Sequence, residues 1–103
     1  MENIGDPFYP IHPGELIKDE LEYRGISQKS FALKFGISYS MLNEILNGKR
    51  PISTDFALLL EASLGVSAGL LVRMQTSYNM QIARKDKTIL KKLSNIRKIA
   101  AMF

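Results

Sequence analysis

Apolar residues recur along the chain at helical spacing, and serine and glycine interrupt them at regular intervals. Leu16, Ile17 and Leu21 share one side of a segment opening at Pro13. Proline suits the first position of a helix, where its missing amide proton costs nothing, and Glu15 suits the positive end of the helix dipole. Gly25 closes this helix, with Ile26 placed to pack back on its last turn. Four further helices are predicted, each introduced by a serine. Ser27 opens Gln28–Phe35, which Gly36 stops, and Ser38 opens Tyr39–Asn47, which Gly48 stops. Ser53 opens Thr54–Leu64, which Gly65 stops, and Ser67 opens a longer segment from Ala68 to about Arg84. A serine hydroxyl satisfies the orphan amides at a helix start, and glycine past the end adopts the left-handed turn that satisfies the last carbonyls. No stretch shows sustained period-two alternation, so the expected fold class is all-α.

Outside these five helices lie two segments of different character. Residues 1–11 contain Gly5, Pro7 and Pro10 and read as an extended N-terminal arm. Residues 87–103 place Ile89, Leu93, Ile96, Ala100 and Phe103 at spacings of 4, 3, 4 and 3, a narrow stripe on an otherwise basic helix. Such a helix must bury its seam against something. The residues Arg84, Lys85, Asp86 and Lys87 before it allow either a continuous helix or a hinge. The domain organisation expected is an arm over 1–11, a compact unit over 12–84, and a basic amphipathic C-terminal helix over 85–103.

Composition removes several kinds of function. The 103 residues suffice for one small core, and 46% hydrophobic residues argue against wholesale disorder. With no cysteine, a disulfide scaffold, a thiolate zinc site and cysteine catalysis are excluded, and the single histidine, His12, excludes a multi-histidine metal site. His12 beside Pro13 reads as a group capping or abutting the first helix. No glycine-rich phosphate loop or nucleophile pair points to an enzyme, and no cofactor is expected. There is no signal-peptide pattern and no apolar run long enough to span a membrane, so the expected location is the cytoplasm.

The net charge of +4 is unevenly placed. Residues 1–26 carry −4, residues 27–50 carry +3 through Lys29, Lys34, Lys49 and Arg50 against Glu44, residues 51–80 carry −1, and residues 81–103 carry +6. Two basic islands suggest two contacts with something anionic; solvated helix faces would give the same pattern.

The first island coincides with the stretch Gln28–Asn47, two short helices meeting across Gly36, Ile37 and Ser38. Ala32 is small enough to let the two axes approach. Gly36 fills the turn position that calls for a positive φ. Phe31 and Phe35 from the first helix, and Ile37, Leu42 and Ile45 from the second, are placed to pack inward. That leaves Tyr39, Ser40, Asn43, Glu44 and Asn47 on the outer face. A rigidly held helix with such a face matches what base reading in a major groove requires. Asn43 can pair with adenine in bidentate fashion, and Tyr39 and Ser40 can reach base edges or a thymine methyl. Gln28 and Lys29 at the start of the first helix, and Lys49 and Arg50 after the second, are candidates for phosphate contact. A plain helical hairpin, its small residues serving packing alone, is the alternative.

The segment Ser27–Leu64 resembles the lambda-repressor/Cro-like (XRE) helix–turn–helix domain, a five-helix fold with the motif in the second and third helices. His12-Pro13-Gly14-Glu15, together with Leu42-Asn43-Glu44-Ile45-Leu46-Asn47-Gly48-Lys49-Arg50-Pro51-Ile52, resembles the HigA/VapI antitoxin family of plasmid-maintenance proteins. The resemblance covers roughly residues 11–79. It implies a homodimeric antitoxin that binds double-stranded DNA, neutralises a RelE-like messenger-RNA-cleaving toxin and represses its own operon. At matching positions Gln28, Ser38, Tyr39, Ser40, Asn43 and Asn47 take the DNA-contact role. The chain lacks the tryptophan that the family usually carries near Leu71.

A dimer on a near-palindromic operator follows from the need for two half-sites about 34 Å apart. In the fifth helix Leu70, Leu71 and Met74 are expected in the core. Tyr78 and Ile82, with Ile89, Leu93 and Ile96 of the last helix, are the candidate dimer contacts. A ribosome-directed toxin is basic, so the acidic first 26 residues are its expected docking side. A stand-alone transcriptional regulator without a toxin, and an interaction module that no longer binds DNA, are the alternative functions.

Overall fold

The computed structural model describes residues 10–103, so the expected extended arm lies almost wholly outside the described residues. It contains six α-helices: α1 (Pro13–Tyr23), α2 (Gln28–Phe35), α3 (Tyr39–Leu46), α4 (Thr54–Leu64), α5 (Ala68–Lys85) and α6 (Lys87–Ala100). No strand is present among the described residues, and no helix among them is long and apolar enough to cross a membrane. The all-helical reading therefore holds, with an additional C-terminal helix. The serine caps form as the spacing predicts. The hydroxyls of Ser27, Ser38, Ser53 and Ser67 accept hydrogen bonds from the amides of Ser30, Met41, Phe56 and Leu70.

Helices α1–α5 enclose one core. Ile17 and Leu21 from α1, Phe31 and Ala32 from α2, and Leu42, Ile45 and Leu46 from α3 meet Phe56, Ala57, Leu60 and Leu64 of α4 and Leu71 of α5. Leu71, where the family tryptophan is missing, is itself fully buried. Two expected core residues lie elsewhere. Leu70 is 39% exposed, because the neighbouring Leu71 takes the inward position on that turn. Phe35, in the last turn of α2, is 41% exposed and only tilts against Phe31, their ring centroids 4.8 Å apart.

Three polar contacts lock the helices together. Buried Gln75 of α5 accepts the Ile52 amide at 2.9 Å and donates to Asn79 Oδ1 at 3.0 Å, fixing the α3–α4 connection to α5. Glu61 of α4 accepts the Ala68 amide at 2.9 Å, placing a carboxylate at the N-terminus of α5. The third contact is His12, the N-cap of α1, whose Nδ1 accepts the Gly14 amide at 2.9 Å. Its ring meets Tyr78 of α5 edge-on at 4.9 Å and is itself only 3% exposed. Gly14 explains the rest of the motif around His12. A Cβ at this position would drive into the Ile45 carbonyl, so glycine is what lets α1 approach the backbone of α3.

Helix α6 stands apart. The break from α5 is a single residue, Asp86, whose carboxylate accepts the amides of Thr88 and Ile89 at 2.8 and 3.2 Å. No residue of α6 is buried. Its principal neighbour is α5, and the molecule measures 57 × 27 × 20 Å. The radius of gyration of 17.3 Å exceeds the ~13 Å expected for a compact chain of this length.

Candidate nucleic-acid interface

The interface is built on α2 and α3, joined by the turn Gly36–Ser38. Gly36 adopts φ 66°, a left-handed conformation that a side chain would strain. The next amide, Ile37, then bonds back to the Ala32 carbonyl at 2.8 Å. This closure redirects the chain, while buried Ala32 keeps the two helices close. Leu42, Ile45 and Leu46 anchor the inner side of α3 in the core. A helix of 8 residues would be marginal alone, so its rigidity comes from that anchoring.

With the inner side committed, the outer side of α3 is polar. Tyr39, Ser40 and Asn47 are exposed, and Asn43 and Glu44 are half-buried. Asn43 Nδ2 donates to Gln28 Oε1 at 3.0 Å, a bond that joins α3 to the first residue of α2. Asn47, which caps α3 rather than forming its last turn, donates through Nδ2 to the Asn43 carbonyl at 2.9 Å. Gln28, Asn43 and Asn47 thus form a hydrogen-bonded line across the face. The Asn43 amide group has two protons, so the bond to Gln28 leaves one donor and the Oδ1 acceptor available outward. That pair matches the N7 and N6 edge of adenine. Ser38 is occupied as the cap of α3, its hydroxyl accepting the Met41 amide at 3.2 Å and keeping its own proton to donate.

Basic residues flank this face. Lys29 and Lys49 are exposed and make no ion pair among the described residues. Arg50 is different: its Nη2 lies 2.8 Å from Glu44 Oε1, and its Nε donates to the same oxygen at 2.9 Å. Glu44 and Arg50 were both candidates for DNA contact; the structure brings them together as an exposed pair instead of presenting Arg50 free. They stand six positions apart across the end of α3, a spacing that no local helical pattern flags. The first amides of α2 and α3 have no carbonyl one turn earlier to bond, so both helix starts can receive a phosphate.

The candidate dimer residues fall into two groups. Tyr78 is half-buried against His12, within the body of the molecule. Ile82 on α5 and Ile89, Leu93 and Ile96 on α6 are all exposed. Gln75 and Gly14 carry structural roles that spacing did not assign. The signal for Gln75 was a polar residue within an apolar helix face, four residues after Leu71. For Gly14 it was a glycine inside a helix start where none was needed for a turn.

Comparison with known proteins places this geometry. Residues 17–71 match the Helix-turn-helix family. Virulence-associated protein I of Dichelobacter nodosus is 38% identical over 78 residues, which span 75% of this chain and 72% of that one. The structure of an addiction module antidote protein of the HigA family from Coxiella burnetii superposes with a TM-score of 0.71 at 30% identity, covering 88% of this chain and 95% of that one. The Pseudomonas aeruginosa antitoxin HigA, solved with the higBA promoter, superposes with a TM-score of 0.67 at 29% identity, covering 91% and 95%. With α2, α3 and the His12–Glu15 start of α1 all in place, the chain belongs to the helix-turn-helix family, among the HigA/VapI-type antitoxins.

Proposed function

We propose that this chain is a sequence-specific DNA-binding antitoxin that represses its own operon as a homodimer and neutralises a RelE-like messenger-RNA-cleaving toxin. The observation carrying the DNA-binding part is the Gln28–Asn43 hydrogen bond, which fixes a base-reading amide on the outer face of a buried-in helix. Tyr39, Ser40 and Asn47 extend the reading surface, while Lys29, Lys49 and the starts of α2 and α3 hold phosphates. Support comes also from the Pseudomonas relative, whose structure was determined with promoter DNA. Residues 12–84 form the DNA-binding unit, and residues 85–103 an appended arm whose exposed apolar stripe, continued by Ile82, contributes to the dimer.

Titration of a labelled upstream duplex at two salt concentrations tests the DNA-binding part. Saturable binding that weakens steeply with salt is expected, because phosphate contacts release counterions. No binding at either concentration contradicts it. Co-expression with the adjacent gene tests the antitoxin part: restored growth supports it, and an adjacent product that is harmless alone leaves a stand-alone regulator.

A further inference from the structure

The strongest feature that DNA recognition leaves unused is the buried imidazole of His12, the chain's only histidine. Three elements meet on this ring. Its Nδ1 accepts the Gly14 amide at the start of α1, its edge packs on Tyr78 of α5, and Gly48 lies against its Cβ, with a Cβ built on that glycine 3.6 Å away. Through Gly48 the ring lies against the turn immediately after the recognition helix. An Nδ1 that accepts a proton from an amide cannot carry one itself, so this arrangement exists only for the neutral ring. An imidazolium here would lose the cap and would also place positive charge at the positive end of the α1 dipole.

We propose that His12 is a pH-sensitive bolt: its protonation under mildly acidic conditions frees the start of α1 and the Gly48–Arg50 turn, and loosens the hold of α3 on DNA. This inference rests on the DNA-binding reading above. The surroundings favour the neutral ring. Burial pushes His12 below the ordinary histidine value, and the nearby Arg50 backbone and Glu15 carboxylate oppose that shift without offsetting it. Charged and titratable neighbours are Glu15, Lys18, Asp19 and Glu22 from α1 and Tyr78 from α5, around a cavity of about 460 Å³. From α3 and its following turn come the uncharged Leu46, Asn47 and Gly48, and the same turn carries the cations Lys49 and Arg50, the latter paired with Glu44. Between about pH 5.5 and 7.5 histidine is the side chain whose ordinary value falls in range. The unfolded or unbolted chain therefore takes up a proton that the bolted form refuses. The bolt's contribution is complete above about pH 6.5 and declines as pH falls below it.

Binding of the full chain to its upstream duplex, measured by fluorescence anisotropy at constant ionic strength and at pH 7.5, 6.5 and 5.5, tests the bolt. The variants are His12→Asn and His12→Ser, which keep a capping acceptor that does not titrate. For the wild type, affinity is expected to fall reversibly, by up to about tenfold between pH 6.5 and 5.5, the limit for one proton per pH unit. Both variants, folded by circular dichroism, should change by less than about twofold over the same range. An equal fall in wild type and variants, or no fall in the wild type, overturns the inference. Absence of binding at pH 7.5 contradicts the DNA-binding reading instead. The bolt is then judged on hydrogen exchange of the Gly14 and Glu15 amides, whose protection relative to the intrinsic exchange rate at each pH must fall in acid more in the wild type than in the variants; equal protection in both overturns it.

Discussion

Helices α3 and α6 are both amphipathic, yet one is held by the molecule and the other is not. Three of the 8 residues of α3 are buried, against none of the 14 in α6. The longer helix with the cleaner stripe touches mainly α5 and buries none of its residues among the described residues. Amphipathicity states that a face must be covered; it does not state by what. The caps differ in the same sense. Ser38 starts α3 inside a closed turn against α2, whereas Asp86 starts α6 at a one-residue joint after α5.

The contrast can be broken most forcefully by making one substitution in both helices. Leu42→Ala should cost about 2–5 kcal/mol of folding stability, since it opens a cavity in a closed core. Leu93→Ala should change the stability of the same chain by less than about 0.5 kcal/mol at a concentration where it is monomeric. Chemical denaturation followed by circular dichroism measures both, and comparable losses would place α6 against the body. Next in size is Gly14→Ala. Its new methyl must displace the Ile45 carbonyl, so a loss of about 1–3 kcal/mol is expected from overpacking between α1 and α3. A neutral result would dissolve the close approach that anchors the recognition helix from behind.

A smaller effect sharpens the electrostatic side of the comparison. Arg50 and Glu44 are 51% and 43% exposed in their side chains, so their ion pair contributes under about 1 kcal/mol to folding. Glu44→Ala should leave stability almost unchanged. It releases Arg50 toward phosphate, steepening the dependence of log K on log salt by about one contact. Salt titrations of the variant on random duplex check this, and an unaltered slope would mean that Arg50 does not face the backbone.

Much of this architecture is legible in the sequence. Ser27, Ser38, Ser53 and Ser67 with Gly25, Gly36 and Gly65 mark helix ends through local hydrogen bonding, and local chemistry is what a sequence carries. The division of α3 into a buried and a polar face followed from 3.6-residue periodicity alone. What escaped depended on how one helix meets another. Leu70 and Phe35 are apolar at plausible core spacing, yet the rotation of α5 and the end of α2 turn them outward. The Glu44–Arg50 pair, the Gln75–Ile52 bond and the need for glycine at position 14 each join residues whose proximity is set by tertiary packing. His12 was legible as a cap, but its second and third contacts, with Tyr78 and the Gly48–Arg50 turn, were not.

The role proposed for Asn43, held by Gln28, is to read bases, and that proposed for Lys49 is to neutralise phosphate. Affinities of Asn43→Ala and Lys49→Ala for the upstream operator and for a random duplex of equal length test these roles most directly. Asn43→Ala should lose about 1–3 kcal/mol on the operator and little on random DNA, whereas Lys49→Ala should weaken both alike and lower the salt slope by about one. Equal losses on the two duplexes for Asn43→Ala would contradict its role as the base-reading residue.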